Sequence, residues 1–176
     1  MRLSAMATNV LNMTKVENQT ILTDVTTYNV SEQIRNCVLL LEPKWAKKNI
    51  EWDMDFDEYT ISGSRELLQE VWLNLIDNAI KFSPENGTVT ITLRERDGDT
   101  IASIANRGTA IPPESRELVF RKFYQVDSSH GTEGNGIGLA IVKRVVELHG
   151  GKVLAESGGE TIFTVILPVR AAAEKT

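Results

Sequence analysis

Three polar residues share one side of a long stretch with helical apolar spacing. In Glu70-Val71-Trp72-Leu73-Asn74-Leu75-Ile76-Asp77-Asn78-Ala79-Ile80-Lys81, Asn74, Asn78 and Lys81 are separated by four and three positions. On a helix they project from one face, while Leu68, Val71, Leu75, Ile76, Ala79 and Ile80 supply the buried surface. Two asparagines in a helix interior weaken its propensity, so something should offset them. One reading is a solvated face. The other is chemical: an amide oxygen joins the shell of a Mg²⁺ ion and Lys81 meets a phosphate. Mg²⁺ takes oxygen ligands in an octahedron and shares them with water and substrate phosphates, so one neutral amide is enough protein. A lysine nearby supplies a point charge.

Two loops carry further candidates. Gly134-Asn135-Gly136-Ile137-Gly138-Leu139 runs directly into another helical pattern. Glycines let the backbone approach closely, and free N–H groups at a helix start favour anionic phosphate, although a tight turn would look the same. It is not the phosphate loop containing Gly-Lys-Ser or Gly-Lys-Thr, because neither triplet occurs. Nor does it follow a strand, as a dinucleotide fingerprint would. The second loop, Asn106-Arg107-Gly108-Thr109-Ala110-Ile111-Pro112, closes a strand and alone is an ordinary turn.

The elements that must position these residues are legible in the patterning. Arg2 to about Asn18 has helical spacing, and Ile21 to Tyr28, rich in Thr and Val, suits an extended segment. Asn29 with Glu32 resembles a capping box opening a helix through Ile34, Val38 and Leu41. Ile50 to Phe56 alternates apolar with acidic, which predicts a half-buried strand. Tyr59 to Ile61 is a further strand, and Ser64 a cap for the helix ending near Phe82. Thr88 to Arg94 and Ile101 to Ala105 pair around Asp97-Gly98, a strong hairpin signal. A short helix is expected after Pro112-Pro113. Ile137 to His149 is a helix closed by Gly150, and Lys152 to Ser157 with Thr161 to Val169 form a last hairpin. The sum is an α+β fold, a mostly antiparallel sheet covered on one face by three helices.

Bulk properties narrow the function. The 176 residues suggest one domain, and 41% hydrophobic residues can bury a core. A net charge of −5 opposes nonspecific nucleic-acid binding. Cys37, the only cysteine, cannot form an internal disulfide and is expected to be a buried inert thiol. His130 and His149 have no metal-ligand spacing with it. With no apolar run long enough for a membrane span and no signal-peptide pattern, a cytoplasmic location is expected.

Together the motifs resemble the ATP-binding domain of sensor histidine kinases, in the wider family shared with DNA gyrase, certain heat-shock chaperones and MutL. Asn74 to Phe82 looks like the N box. Asn106 to Ile111 stands where the first glycine box would be, Phe120-Arg121-Lys122-Phe123-Tyr124 is similar to the F box, and Gly134 to Leu139 matches the later glycine box. The order and spacing agree over roughly residues 21 to 169. The resemblance implies a two-layer α/β sandwich of the Bergerat type that binds ATP and Mg²⁺. It implies Asn78 as Mg²⁺ ligand with Asn74 beside it. Lys81 and Lys122 would contact phosphates, and Gly134, Asn135, Gly136, Ile137, Gly138 and Leu139 would cradle them. Asn106, Gly108, Ile111 and Thr161 fall at the base end. Residues from Gln125 to Glu133 would be a mobile lid, with Phe123 and Tyr124 flanking the nucleotide or anchoring that lid. In hydrolysing relatives a glutamate four residues before the Mg²⁺ asparagine positions water. Here that place is Asn74, a poor general base, and Glu70 a turn away is expected to be solvated.

Three positions depart from the family pattern. Asn106 replaces the adenine-reading aspartate, Ala110 a glycine, and Glu160 a commoner glycine. A tolerated variant, a weakened site and an altered base choice are the readings. Neither histidine is followed by an acidic residue, as a phosphoacceptor would be, and His149 suits a helix C-terminus. The expected organisation is a remnant of the second dimerisation helix at 1–20, the ATP-binding domain at 21–170 and a tail at 171–176. The implied partners are the chain's own dimerisation domain, in a homodimeric parent, and a response regulator. A degenerate nucleotide-binding or interaction domain is the alternative.

Overall fold

Two side-chain caps open buried helices where the sequence places them. The computed structural model describes residues 2–126 and 136–169. Asn29, in extended conformation, accepts the Glu32 N–H at 2.8 Å and starts α2 (Val30–Leu40). Ser64 accepts the Leu67 N–H at 3.3 Å and starts α4 (Arg65–Phe82). Each cap satisfies one of the orphan donors of a helix start, worth about 1 kcal/mol. The other helices are α1 (Arg2–Asn18), α3 (Glu42–Lys47) and α5 (Gly138–Leu148). The pattern through Leu41 predicts one helix there. The chain instead breaks at Leu41 and restarts as α3 with Pro43 in its first turn, because proline is pre-set for a helix start and cannot donate within one. The helix expected after Pro112-Pro113 is a pair of 3-10 turns, Pro113–Ser115 and Leu118–Phe120.

The strands are β1 (Val25–Asn29), β2 (Glu51–Met54), β3 (Thr60–Ser64), β4 (Thr88–Arg96), β5 (Asp99–Asn106), β6 (Lys152–Ser157) and β7 (Thr161–Pro168). The main sheet runs in the order β2-β4-β5-β7-β6 and is antiparallel except for the parallel β2–β4 edge pair. Asp97 at φ 53° and Gly98 at φ 85° make the β4–β5 turn, as a two-residue hairpin with two left-handed positions requires. β1 and β3 pair with each other as a separate two-stranded sheet. Their pairing places Ser64 at the end of a strand and the start of α4 at once.

The core lies between the main sheet and a layer of α2, α4 and α5. Ile34 and Val38 of α2, Leu68, Val71, Leu75 and Ile76 of α4, and Ile141, Val142, Val145 and Val146 of α5 are buried with Val89, Ile91, Ile104 and Val165 of the sheet. The two-layer α+β sandwich expected from the sequence is the observed fold. One buried polar side chain ties the layer together. Gln33 accepts from Tyr28 Oη and Trp72 Nε1, each at 2.9 Å, and donates to the Arg65 carbonyl at 2.8 Å. Cys37 is buried, which pushes its thiol up to about 12, with Glu70 adding to the shift; the thiol is inert at neutral pH. No helix among the described residues is long and apolar enough to cross a membrane.

His149 caps α5, but not as a cation facing a helix dipole. The ring is buried, its Nδ1 is 2.8 Å from the Val145 carbonyl, and its Nε2 accepts the Ser64 N–H at 3.0 Å. That pattern belongs to the neutral ring with the proton on Nδ1. Burial lowers its pKa. The folded ring therefore refuses a proton that the unfolded chain takes up near pH 6.5, its ordinary value. Its contribution to stability is full above that pH and declines as pH falls below it. His149→Gln is expected to cost about 1–3 kcal/mol at pH 7.5. It should also flatten the decline between about pH 6.5 and 5. Urea denaturation across that range checks both, and an unchanged pH slope would contradict the neutral-ring assignment.

Candidate functional site

The last turn of α4 is clamped from two sides. The Lys48 ammonium donates to the carbonyls of Ile80, Lys81 and Ser83 at 3.0, 2.8 and 2.9 Å. A cation is favourable there because the final carbonyls of a helix lack internal partners and carry its negative end. On the other side, the loop after β5 lies against the same turn. A Cβ added at Gly108 would stand 1.8 Å from the Phe82 carbonyl oxygen, so only glycine permits this approach. A cleft of about 410 Å³ opens between Lys81, Phe82, Ser83 and Pro84 on one wall and Arg107, Gly108 and Thr109 on the other.

The three polar residues of α4 do different things. Asn74 turns its Nδ2 back to the Glu70 carbonyl at 2.7 Å, and its Oδ1 would stand 2.6 Å from a Cβ at Gly138. Its amide therefore sits at the crossing of α4 and α5, which a larger residue at 138 would force apart. Asn78, one turn on, is half-exposed and makes no side-chain hydrogen bond among the described residues. Lys81 places its ammonium 5.8 Å from the Phe82 ring centroid, at the wall of the cleft. Glu70 is half-buried rather than solvated, and burial followed by the neighbouring Glu66 raises its pKa. Its place on α4 beside the α2 helix, where it acts on Cys37, accounts for that burial.

Asn106 ends β5 with 2% of its surface exposed, opposite Thr161 in the β5–β7 ladder. Thr161 is buried and donates to the Thr109 carbonyl at 3.3 Å, and Ser157 accepts the Ile111 N–H at 3.0 Å. These bonds hold the 106–111 loop in place. Ala110 is exposed, and Glu160 pairs with Arg107 at 3.5 Å, so neither departure fills the cleft.

The segment similar to the F box folds back on the start of α5. Phe120 is buried edge-on to Phe163, with centroids 6.0 Å apart. Lys122 pairs with Glu17 of α1. Phe123 is 63% exposed in the left-handed region at φ 64°, and its N–H donates to the Gly136 carbonyl at 2.9 Å. Gly136 has φ 70°, and a Cβ there would be 2.8 Å from Phe123 Cα. Tyr124 shares a 2.8 Å hydrogen bond with Ser115. Ile137 is buried and Leu139 packs on the core, so the first turn of α5 is fixed, and the Ile137 side chain at its N-cap makes no capping hydrogen bond. Gly134, Asn135 and most of the expected lid, including His130, lie outside the described residues.

A family model described as histidine kinase-, DNA gyrase B-, and HSP90-like ATPase matches residues 63–171. The chain belongs to this family. The histidine-protein kinase/phosphatase MprB of Mycolicibacterium paratuberculosis is 40% identical over 131 residues, which is 70% of this chain and 25% of that protein. The chain thus spans about a quarter of the length of this curated relative. Full-length ShkA in complex with AMPPNP matches with TM-score 0.84 and 29% identity over 98% of this chain and 37% of that one. Histidine kinase ThkA, in complex with response regulator protein TrrA, matches with TM-score 0.82 and 27% identity over 98% and 49%. The fold is thus the Bergerat type, and the ATPase-family domain resembles those of sensor histidine kinases.

The residues present fit a nucleoside triphosphate. A helix start at α5, a half-exposed amide at Asn78, an ammonium at the cleft and a buried amide at Asn106 supply donors and acceptors of the required kinds. Lys48, Glu17 and Ser157 were not singled out by the sequence, because each reaches its partner across 30 or more positions of chain. Gly108→Ala is expected to cost more than about 3 kcal/mol, beyond the usual range for overpacking, because the obstacle is backbone. It should also disrupt the cleft. Thermal denaturation together with nucleotide titration measures both, and a variant of near-wild-type stability would show that the loop can move.

Proposed function

We propose that this domain binds Mg-ATP and presents its γ-phosphate to a histidine on a dimerisation domain of the same parent protein. One observation carries this: Asn78 and Lys81 stand on the α4 face whose end meets the 106–109 loop. Asn78 would provide the protein oxygen for Mg²⁺, with Asn74 beside it. The ion, when bound, neutralises phosphate charge. Lys81 and Lys122 would hold the phosphates. The start of α5, from Gly136 to Leu139, would turn backbone amides towards them, together with Gly134 and Asn135. Gly108, Ile111 and Thr161 would shape the base end around Asn106, and Phe123 and Tyr124 would flank the nucleotide or anchor the lid.

Lys122 is already occupied by Glu17, with side chains 45% and 40% exposed. Such pairs contribute about 0–1 kcal/mol, so a triphosphate can displace the carboxylate. Asn74 stands where a hydrolysing relative would need a general base. An amide cannot take a proton from water, and here it is bonded to Glu70. The site is built for positioning and charge neutralisation towards another nucleophile.

Residues 1–20, including α1, are proposed as the end of the second dimerisation helix, residues 21–170 as the ATP-binding domain and 171–176 as a tail. The match to ShkA and ThkA over 98% of the chain supports including α1. A response regulator is the proposed downstream partner, as TrrA is bound by ThkA. The parent is proposed to be a homodimer with this domain in the cytoplasm. His149 is buried with its Nε2 taken by the Ser64 N–H, so it is no phosphoacceptor. The chain alone should therefore incorporate no acid-labile phosphate from γ-labelled ATP. Supplied with its parent's dimerisation domain, it should label that domain's histidine. Label on the isolated chain, or none on the added domain, would contradict the proposal.

A further inference from the structure

Asn106 is almost completely buried, yet its Nδ2 has no hydrogen-bond partner among the described residues. Buried donors in folded proteins are nearly always paired, so this one asks for an acceptor. The amide lies beside Gly108, where an added Cβ would be 3.3 Å from Nδ2, and Gly108 lines the cleft at the end of α4. The loop that carries it is tied to Thr161 and Ser157. The position of the amide is fixed, but its terminal group can turn to offer either oxygen or nitrogen.

We propose that Asn106 makes this pocket accept 6-oxopurine nucleotides, inosine and guanosine triphosphates, alongside ATP. This rests on the cleft being a nucleoside triphosphate site with Asn106 at the base. Adenine presents an amino donor at position 6 beside an acceptor at N1. A 6-oxopurine presents an acceptor at O6 beside a donor at N1. An amide has one acceptor oxygen and one donor nitrogen, so it complements either edge after a half-turn. A carboxylate at the same place would only accept, matching the amino group and opposing O6. Sites that hydrogen-bond one edge reject its mismatch by large factors.

The test is equilibrium titration of ATP, ITP and GTP with Mg²⁺ into the full 176-residue chain and into Asn106→Asp. ITP isolates position 6, because GTP adds a 2-amino group. In wild type, ITP should bind within about ten-fold of ATP, and a weaker ITP overturns the proposal. In Asn106→Asp the preference for ATP should grow several-fold, and an unchanged ratio in the folded variant also overturns it. If the buried carboxylate prevents folding, as circular dichroism would reveal, the wild-type ratio decides alone. If no triphosphate binds wild type, the cleft's assignment fails and this inference with it. If ATP binds and ITP does not, only this inference fails.

Discussion

The last turn of α4 is the constraint on which the site depends. Its final carbonyls lack partners within the helix, and one Lys48 ammonium satisfies those of Ile80 and Lys81 together with that of the C-cap Ser83. The Ser83 hydroxyl donates to the Ala79 carbonyl at 2.7 Å. With the turn fixed, the Phe82 carbonyl becomes a wall against which the 106–109 loop closes, and glycine at 108 is the consequence. Lys81 and Asn78 then point where the turn directs them. The buried side of the same helix, from Leu68 to Ile80, anchors all of this to the sheet.

A second close approach joins α4 to the start of α5. Asn74 would be a poor choice inside a helix if its amide had no partner. It bonds back to Glu70 and fills the space left by Gly138, so α4 and the first turn of α5 can nearly touch. That contact brings the start of α5 to the polar face of α4. The two ends of the site are unequal. In the proposed site the phosphate end would be made from backbone and two lysines. The proposed base end would depend on one buried amide, held in a loop tied to β6 and β7 by Ser157 and Thr161.

Local chemistry was readable and long-range chemistry was not. Asn29, Ser64 and the Asp97-Gly98 turn announce their elements because each acts within a few residues of itself. The apolar stripe of α4 gave both its buried face and the polar residues opposite. The separate β1–β3 pair and the clamp of α4 by Lys48 depend on partners distant in sequence. His149 shows the limit well: its place at a helix end suggests a cation, whereas burial against Ser64 makes it a neutral acceptor. Glu70 errs in the same direction, since the packing of α2 buries a carboxyl that helix position alone would leave in water.

The central claim is that Asn78 and the end of α4 form the metal-dependent half of an ATP site. Calorimetric titration of ATP into the chain and into Asn78→Ala, each with Mg²⁺ and with a chelator, addresses it directly. The account predicts tighter binding with Mg²⁺ in wild type, and loss of most of that Mg²⁺ advantage in a folded Asn78→Ala. Equal Mg²⁺ dependence in the two proteins would contradict it.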